Sequence, residues 1–517
     1  MRLSNIFMTR VSLVGLAVLA LAGCSLAPEY QQPEAPIPQQ WKTNNPEIDK
    51  QLDADETPAA ATLGWREYFL DPVLQGLIAE ALENNRELRI AALTVEAYQA
   101  QYRIQRAELF PSLNVEAAGT RQRVPADLSS SGREQISSQY SATVGMPAWE
   151  LDFFGRLDSL SEQALQTYFA NVEVQRSTQI SLVASVAQAW FTLLADHTLL
   201  DLTQDTLQNY QRNFDITQQS FDAGNASALD LSQARTSLDS TKVSLAVYQR
   251  QVASDRNALA LLIGHPLQQE VMSDASLENT LLAEIPSGLP SQLLQRRPDI
   301  LQAEHMLRAA NANIGAARAA LFPSVALTSN AGTASSELSG LFESGSGTWM
   351  IAPSLNLPIF NSGALQARVD VAEIEQKIRV ARYEHAIQVA FQEVVDGLVA
   401  RQTYGRQLHS QQELLKSTQR YYDLAERRYR SGVDSYLTLL DAQRQLFTVR
   451  QNRIGDRLSQ LVSEVNLYKA LGGGWQEQAT DVVKPNGSST SCDKDSQDYN
   501  IDCEIPGGDG KANTVSG

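Results

Sequence analysis

The chain has 517 residues, with 42 Lys and Arg against 59 Asp and Glu, and a formal net charge of −17. This acidic balance argues against nucleic acid and anionic lipid as partners. The five histidines lie far apart, none of them forms an i,i+4 metal pair, and the sequence contains neither a nucleophile elbow nor a phosphate loop. We therefore predict a protein that is not an enzyme and that has no catalytic residues, metal site or cofactor.

The amino terminus has the pattern of a secretory signal. Arg2 and Arg10 precede an apolar stretch over residues 11–22, which ends in the tetrapeptide Leu21-Ala22-Gly23-Cys24. This tetrapeptide resembles a bacterial lipobox, which implies cleavage after residue 23 and a covalent lipid on Cys24. Because Ser25 follows, the resemblance implies sorting to the outer membrane. The alternative is an ordinary secretory peptide with an incidental cysteine.

The rest of the chain is a tandem duplication. Ala107-Glu108-Leu109-Phe110-Pro111-Ser112 returns 212 residues later as Ala319-Ala320-Leu321-Phe322-Pro323-Ser324. Phe221-Asp222-Ala223-Gly224 is matched 208 residues later by Tyr429-Arg430-Ser431-Gly432. Such a spacing is too long for a solenoid repeat, so each half is a complete structural unit. The predicted divisions are a signal peptide (1–23), an extended lipidated segment (24–65), a first repeat (66–264), a connector (265–290), a second repeat (291–475) and a flexible polar tail (476–517).

Each repeat contains one predicted β-hairpin, over about 112–150 and about 324–358. Apolar and polar residues alternate along its strands, and the loops between them are polar (121–138) or rich in Gly and Ser (332–347). Strands of about 9–11 residues with aromatic residues near their ends fit a transmembrane barrel. The alternative is a soluble sandwich sheet. Pro147 and Pro353 predict interruptions of the hydrogen-bond ladders.

Four strands cannot close a barrel, and hydrocarbon does not tolerate their two open edges. Two copies of the chain would supply eight strands, whose interior is filled by side chains, whereas three copies would supply twelve and leave a lumen. We therefore expect a homotrimeric pore.

The remaining segments have helical patterns. Residues 231–262 carry a heptad seam that includes Asp255, which is typical of a coiled coil. A second stretch, from about 155 to about 214, would extend for about 90 Å, well beyond a hydrocarbon core of about 30 Å. Gly224 and Gly432 each end a helix just before residues suited to cap the next one, which predicts two helical hairpin turns at the same distant end.

Several motifs together resemble the TolC-like outer-membrane efflux channels, and among them the OprM-type lipoproteins. They are Trp149-Glu150-Leu151-Asp152-Phe153-Phe154-Gly155-Arg156, Arg296-Arg297-Pro298-Asp299-Ile300 and the segment 429–444. The resemblance runs from Cys24 to about Trp475. It implies a mainly α fold with a transmembrane β-barrel, in which a trimer forms a 12-stranded barrel and a long α-helical tunnel through the periplasm. It also implies a passive exit duct for drugs and other small molecules. The hairpin turns at Gly224 and Gly432 would dock a periplasmic adaptor, and an inner-membrane RND pump would complete the system.

The same resemblance implies a gate at the periplasmic tip of the tunnel. Tyr429, Asp441 and Arg444 would form its latch, and Leu437 would be an apolar constriction. In a trimer, three copies of Asp441 would crowd one axis, which raises the pKa of the carboxyl groups unless Arg444 compensates.

Two further carboxylates, Asp230 and Asp255, are expected on the helix that neighbours the latch. An unpaired charge on a heptad seam is costly, so we hypothesise that Tyr429 is the partner of Asp255. Asp434 stands where TolC itself has an arginine that helps the latch. The competing interpretation of Asp255 and Asp441 is a solvated helix face.

Other interpretations remain open. A structural coiled-coil lipoprotein or adhesin would explain the heptads but not the duplicated hairpins. Within the family, a protein-export or metal-export duct is an alternative to drug efflux. The four methionines that remain after signal removal are not clustered in the way that soft metals require.

Overall fold

The computed structural model describes residues 26–38, 40–42, 46, 63–267, 276–280, 282–285 and 290–478. Cys24 and the tail from residue 479 onwards lie outside the described residues. The described helices are α1 (Trp65–Tyr68), α2 (Pro72–Asn84), α3 (Arg86–Ala107), α4 (Arg156–Asp222), α5 (Ala228–Ile263), α6 (Pro290–Arg296), α7 (Pro298–Ala319), α8 (Ala364–Arg430) and α9 (Tyr436–Ala470). The strands are β1 (Asn114–Val124), β2 (Gln135–Leu151), β3 (Ser324–Ser335) and β4 (Gly347–Asn356).

The helices repeat with the spacing that the duplicated motifs predict. α3 and α7 each have 22 residues, and α4 and α8 each have 67. The first pair starts 212 positions apart and the second pair 208, so residues of one repeat can be matched to residues of the other along these helices. α4 continues to Asp222, beyond the predicted end near residue 214, because its seam stays packed at Tyr210 and Thr217.

The four strands form one antiparallel sheet in the order β1-β2-β3-β4. β2 and β3 join the two repeats, from Tyr140 opposite Ser335 to Leu151 opposite Val325. The two strands approach so closely here that a Cβ atom on Gly332 would overlap the carbonyl oxygen of Ala142. β1 and β4 are left as the edges of the sheet.

The strands differ in two ways from the sequence-based prediction. β1 runs to Val124 and β2 begins at Gln135, so the connecting loop is 125–134 rather than 121–138, and β2 has 17 residues. Backbone pairing carries the hairpin beyond the apolar alternation, because polar side chains do not prevent ladder formation.

The two prolines behave differently. The β2–β3 register shifts between Met146 and Trp149, so Pro147 marks a bulge as predicted. Pairing is continuous through Pro353 of β4, which lies opposite Leu327 of β3. Because β4 is an edge strand, it accommodates a residue without an N–H group, and the predicted interruption there is wrong.

The main core lies where α4, α8 and α9 pack together with α2. Its largest fully buried side chains include Trp65, Tyr68, Trp190 and Tyr383. The segment described over residues 26–38 and 40–42 reaches it along α7, where the Pro28 carbonyl accepts a hydrogen bond from Asn311 at 2.7 Å.

The carboxyl end of the described chain also packs on this core. The Trp65 and Arg66 N–H groups donate to the Gln476 and Glu477 carbonyls at 3.0 and 3.2 Å. These two residues, assigned to the flexible tail from sequence, are therefore fixed by backbone pairing.

Candidate functional site

The first helical hairpin turns within five residues. α4 ends at Asp222, and Gly224 takes a left-handed conformation with φ of 77° that favours glycine. Ser227 then caps α5 in a reciprocal capping box, in which the Asp230 N–H donates to Ser227 Oγ and the Ser227 N–H donates to the Asp230 carboxylate, both at 3.1 Å. The turn predicted at Gly224 is therefore present, and it holds the Asp230 carboxylate in place.

The second hairpin repeats the glycine turn, without the capping box, and adds an ion pair. α8 ends at Arg430, and Gly432 has φ of 71°. Arg428 binds both oxygens of Asp434 across the turn, at 2.7 and 2.9 Å. This guanidinium holds the pKa of Asp434 below its ordinary value. Sequence reasoning singled out Asp434 but missed Arg428, because the pair spans six residues that include the turn glycine.

A small aromatic cluster joins the two hairpins near their tips. It contains Tyr210 of α4, Ala234 and Leu238 of α5, and Tyr436, Leu439 and Leu440 of α9. The Tyr429 ring lies 5.7 Å from the Tyr436 ring. Burial raises the pKa of Tyr436 to about 12. The cluster is therefore a packed contact between the two halves of the duplication, and Tyr429 lies against it.

Two of the predicted gate residues come together here. Tyr429 is half-buried, and burial followed by the Asp230 carboxylate raises its pKa above the ordinary value. Since Asp230 belongs to the first hairpin and Tyr429 to the second, the charge of one hairpin acts on the other at the level of the tip.

The predicted gate residues of α9 remain on the surface of the single chain. Leu437 is 56% exposed, and the exposed Asp441 carboxylate accepts a hydrogen bond from Gln445 at 2.9 Å. Arg444 lies near Tyr210 and Tyr436, where its charge opposes the rise in their pKa values. Within the described residues, Asp441 and Arg444 form no ion pair with each other.

Asp255 lies in a different environment from the one that we hypothesised. It is 25 residues from Asp230 along α5, which corresponds to about 38 Å, so Tyr429 cannot reach it. The Asp255 carboxyl instead faces the Asp196 carboxyl of α4, and its buried Oδ2 atom accepts from no donor among the described residues. Burial, and then the contact with Asp255, raise the pKa of Asp196 to about 7. The heptad pattern identified the packed face of α5 but could not identify the residue opposite it.

Comparisons with known proteins give consistent results. Residues 77–265 and 289–473 match the family described as "Outer membrane efflux protein". The chain is 56% identical over 469 residues to the "Antibiotic efflux pump outer membrane protein ArpC" and to the "Toluene efflux pump outer membrane protein TtgC", both of Pseudomonas putida. These matches cover 90% of this chain and 96% of each relative. The chain is also similar to the open-state structure of the MtrE outer membrane channel of Neisseria gonorrhoeae, with a TM-score of 0.79, 37% identity, and coverage of 89% of this chain and 100% of that chain.

Proposed function

Because the chain belongs to the outer membrane efflux protein family, we propose that three copies of it assemble into the passive exit duct of a tripartite efflux pump. The chain is an outer-membrane efflux component with the fold of TolC-like channels.

The open sheet is the observation that carries the proposal. β1 and β4 are edges in the single chain, although a membrane-embedded sheet has to be closed. Large apolar side chains on these strands point outward, with Val115, Ile351 and Leu355 between 63% and 80% exposed. Three copies would pair β1 of one chain with β4 of the next and close a 12-stranded barrel around a lumen.

The helices support a tunnel outside the membrane. Each 67-residue helix is about 100 Å long, which is about three times the thickness of the hydrocarbon core. Among the described helices, α4 is the one with an 18-residue window apolar enough to cross a membrane, and 61% of that window is buried inside the protein. Its apolar residues therefore serve helix packing.

The gate would lie at the hairpin tips. Leu437 and Asp441 are exposed on α9 of the single chain, so they are free to face the axis of a trimer. Three Asp441 carboxylates around a narrow mouth would repel one another and attract cations. The packing of Tyr429 against the aromatic cluster would hold the two hairpins of one chain together.

We propose that the cargo is organic. Two relatives at 56% identity are named for antibiotic and toluene efflux. The two exposed turns, at Gly224 and Gly432, are available to dock a periplasmic adaptor that connects the duct to an inner-membrane RND pump.

We further propose a covalent lipid on Cys24. The nearest described residue, Leu26, lies against Arg318 near the end of α7, and its carbonyl accepts from that guanidinium at 3.5 Å. β3 begins six residues after Arg318. The lipid would therefore lie close to the base of the sheet, where the membrane begins. Incorporation of a labelled fatty acid that Cys24→Ala abolishes would support this assignment.

Single-channel conductance in planar bilayers tests the duct. We expect the wild-type trimer to be nearly closed and Asp441→Ala to raise its conductance several-fold. Asp370→Ala is the matched control, because Asp370 is also exposed and also accepts from a glutamine one turn away, but lies in the second turn of α8. Trimers in which neither the wild type nor Asp441→Ala conducts would rule out the duct.

A further inference from the structure

The two repeats share a contact that ties the start of one helix to the end of another. Asn85, the N-cap residue of α3, donates from Nδ2 to the Leu262 carbonyl in the last turn of α5 at 2.8 Å. Arg297, the N-cap residue of α7, donates from a guanidinium nitrogen to the Ala470 carbonyl at the end of α9 at 3.0 Å. Asn85 and Arg297 are 212 positions apart and Leu262 and Ala470 are 208 apart, so the two contacts join equivalent positions.

The contact in the second repeat includes a third helix. The Arg297 side chain is 8% exposed and binds both oxygens of Asp299, at 3.0 and 2.6 Å. It also reaches Glu393 of α8 at 2.7 Å. One guanidinium therefore holds the start of α7, the middle of α8 and the end of α9 together.

The first repeat lacks this third connection. The residue equivalent to Glu393, 208 positions earlier, is Ser185 of α4, whose side chain is too short to reach across. A groove of about 330 Å³ remains there, bordered by Asn85, Ser185 and Leu262. In the second repeat, the charged Arg297 side chain therefore contacts both helices of the hairpin, α8 and α9. In the first repeat, the neutral Asn85 side chain contacts only α5 of the α4–α5 hairpin.

We propose that Arg297 is a positioning residue that anchors both helices of the α8–α9 hairpin, so that gate movement is confined to the part of the hairpin between this anchor and the tip. This inference builds on the proposed function, because α8 and α9 carry Tyr429, Leu437, Asp441 and Arg444. From Glu393 to the end of α8 there are 37 residues, or about 55 Å of helix. Over that length, a small change of angle at the anchor produces a displacement of several ångströms at the tip.

Glu393→Gln separates this role from simple stability. It removes the charge that joins α8 to Arg297, while Asp299 and the Ala470 carbonyl continue to hold the guanidinium. The buried Arg297 guanidinium keeps the Asp299 carboxylate as its ion-pair partner, so the variant leaves no buried charge unpaired. Asn85→Ala is the matched control. It removes the equivalent contact from the α4–α5 hairpin, which does not carry Tyr429, Asp441 or Arg444.

The experiment records open probability in planar bilayers for trimers of each variant, together with their melting temperatures. We expect Glu393→Gln to raise the open probability about fivefold, because a released α8 gains open arrangements of the hairpin that the intact anchor excludes. Asn85→Ala should lower the melting temperature and leave the open probability within about twofold of the wild type.

Asp441→Ala, measured in parallel, separates this inference from the proposed gate. If Asp441→Ala opens the channel and Glu393→Gln behaves as the wild type, the anchor is overturned and the gate stands. If Asp441→Ala stays closed while Glu393→Gln opens, the latch assignment fails and the anchor stands. Equal changes in open probability for Asn85→Ala and Glu393→Gln would show a general loss of stability and would also overturn the anchor.

Discussion

The carboxyl pair of Asp196 and Asp255 is a feature of single residues that the fold does not require. The equivalent positions in the second repeat, 208 residues later, are Tyr404 and Ser463, which carry no carboxyl group. Burial, and then the facing Asp255 carboxyl, disfavour the ionised form of Asp196. The pair therefore makes the stability of the α4–α5 hairpin depend on pH. The equivalent positions of the α8–α9 hairpin carry no carboxyl group that could have this effect.

We expect this pair to destabilise the fold as the pH rises. The pKa of Asp196 rises from its ordinary value of 3.8 in the unfolded chain to about 7 in the folded protein. The folded state then binds more protons between these values, so its stability is greatest below the lower pKa and is lost as the pH rises through the upper one. The melting temperature of the purified protein should fall as the pH rises from about 4 to about 8. Asp196→Asn should flatten this dependence of melting temperature on pH.

Asp215→Asn is the control for this measurement, since Asp215 is exposed on the same helix. A curve that keeps its slope in Asp196→Asn would contradict the raised pKa of Asp196. The sequence alone could place Asp255 on the packed seam, because heptad spacing is a property of one helix. It could not pair Asp255 with Asp196, since that contact depends on the relative rotation of two helices.

Among the secondary-structure elements, the hairpin turns were predictable and the sheet order was only partly so. Gly224 and Gly432 have left-handed backbones that disfavour other residues, so the residue type itself marks the turn. Each β-hairpin also follows from local alternation. The pairing of β2 with β3 joins residues almost two hundred positions apart, and no local pattern specifies it. The long β2 strand was missed for a related reason, because its polar end is held by backbone pairing alone.

Gly332 tests the junction between the repeats. A side chain at this position has to displace the β2 backbone at Ala142, so we expect Gly332→Ala to destabilise the sheet by about 1–3 kcal/mol. Gly347→Ala is the control, because a Cβ atom there meets no heavy atom within 4 Å. The melting temperatures of the two variants, relative to the wild type, measure the difference. Equal melting temperatures would show that the β2 backbone at Ala142 leaves room for a side chain at position 332.

For the whole molecule, the proposed assembly depends on the sheet facing lipid. Val115 of β1 is 80% exposed, and it alternates with Glu116 on the opposite face. We expect Val115→Asp to reduce the amount of trimer recovered from the outer membrane, because a charge on the lipid face of a barrel is destabilising. Glu116→Gln should leave the yield unchanged.

Native mass spectrometry of the detergent-solubilised protein provides the count of chains and the readout for these variants. Three chains per particle are expected. A particle of two chains would give an eight-stranded barrel whose interior is filled by side chains, and it would contradict a duct. Equal trimer recovery for Val115→Asp and the wild type would place this face of β1 away from lipid.

The equal length of α4 and α8 restricts how this protein can evolve. Deleting one residue from α4 alone would turn the rest of that helix by about 100° and shift its tip by about 1.5 Å. The two turns would then lie at different heights, and the aromatic residues between them would lose their partners. Changes of length are therefore expected in matched sets, by whole heptads in all four long helices. Within this family, the reach of the chain towards the inner membrane should vary in steps of about 10 Å rather than continuously.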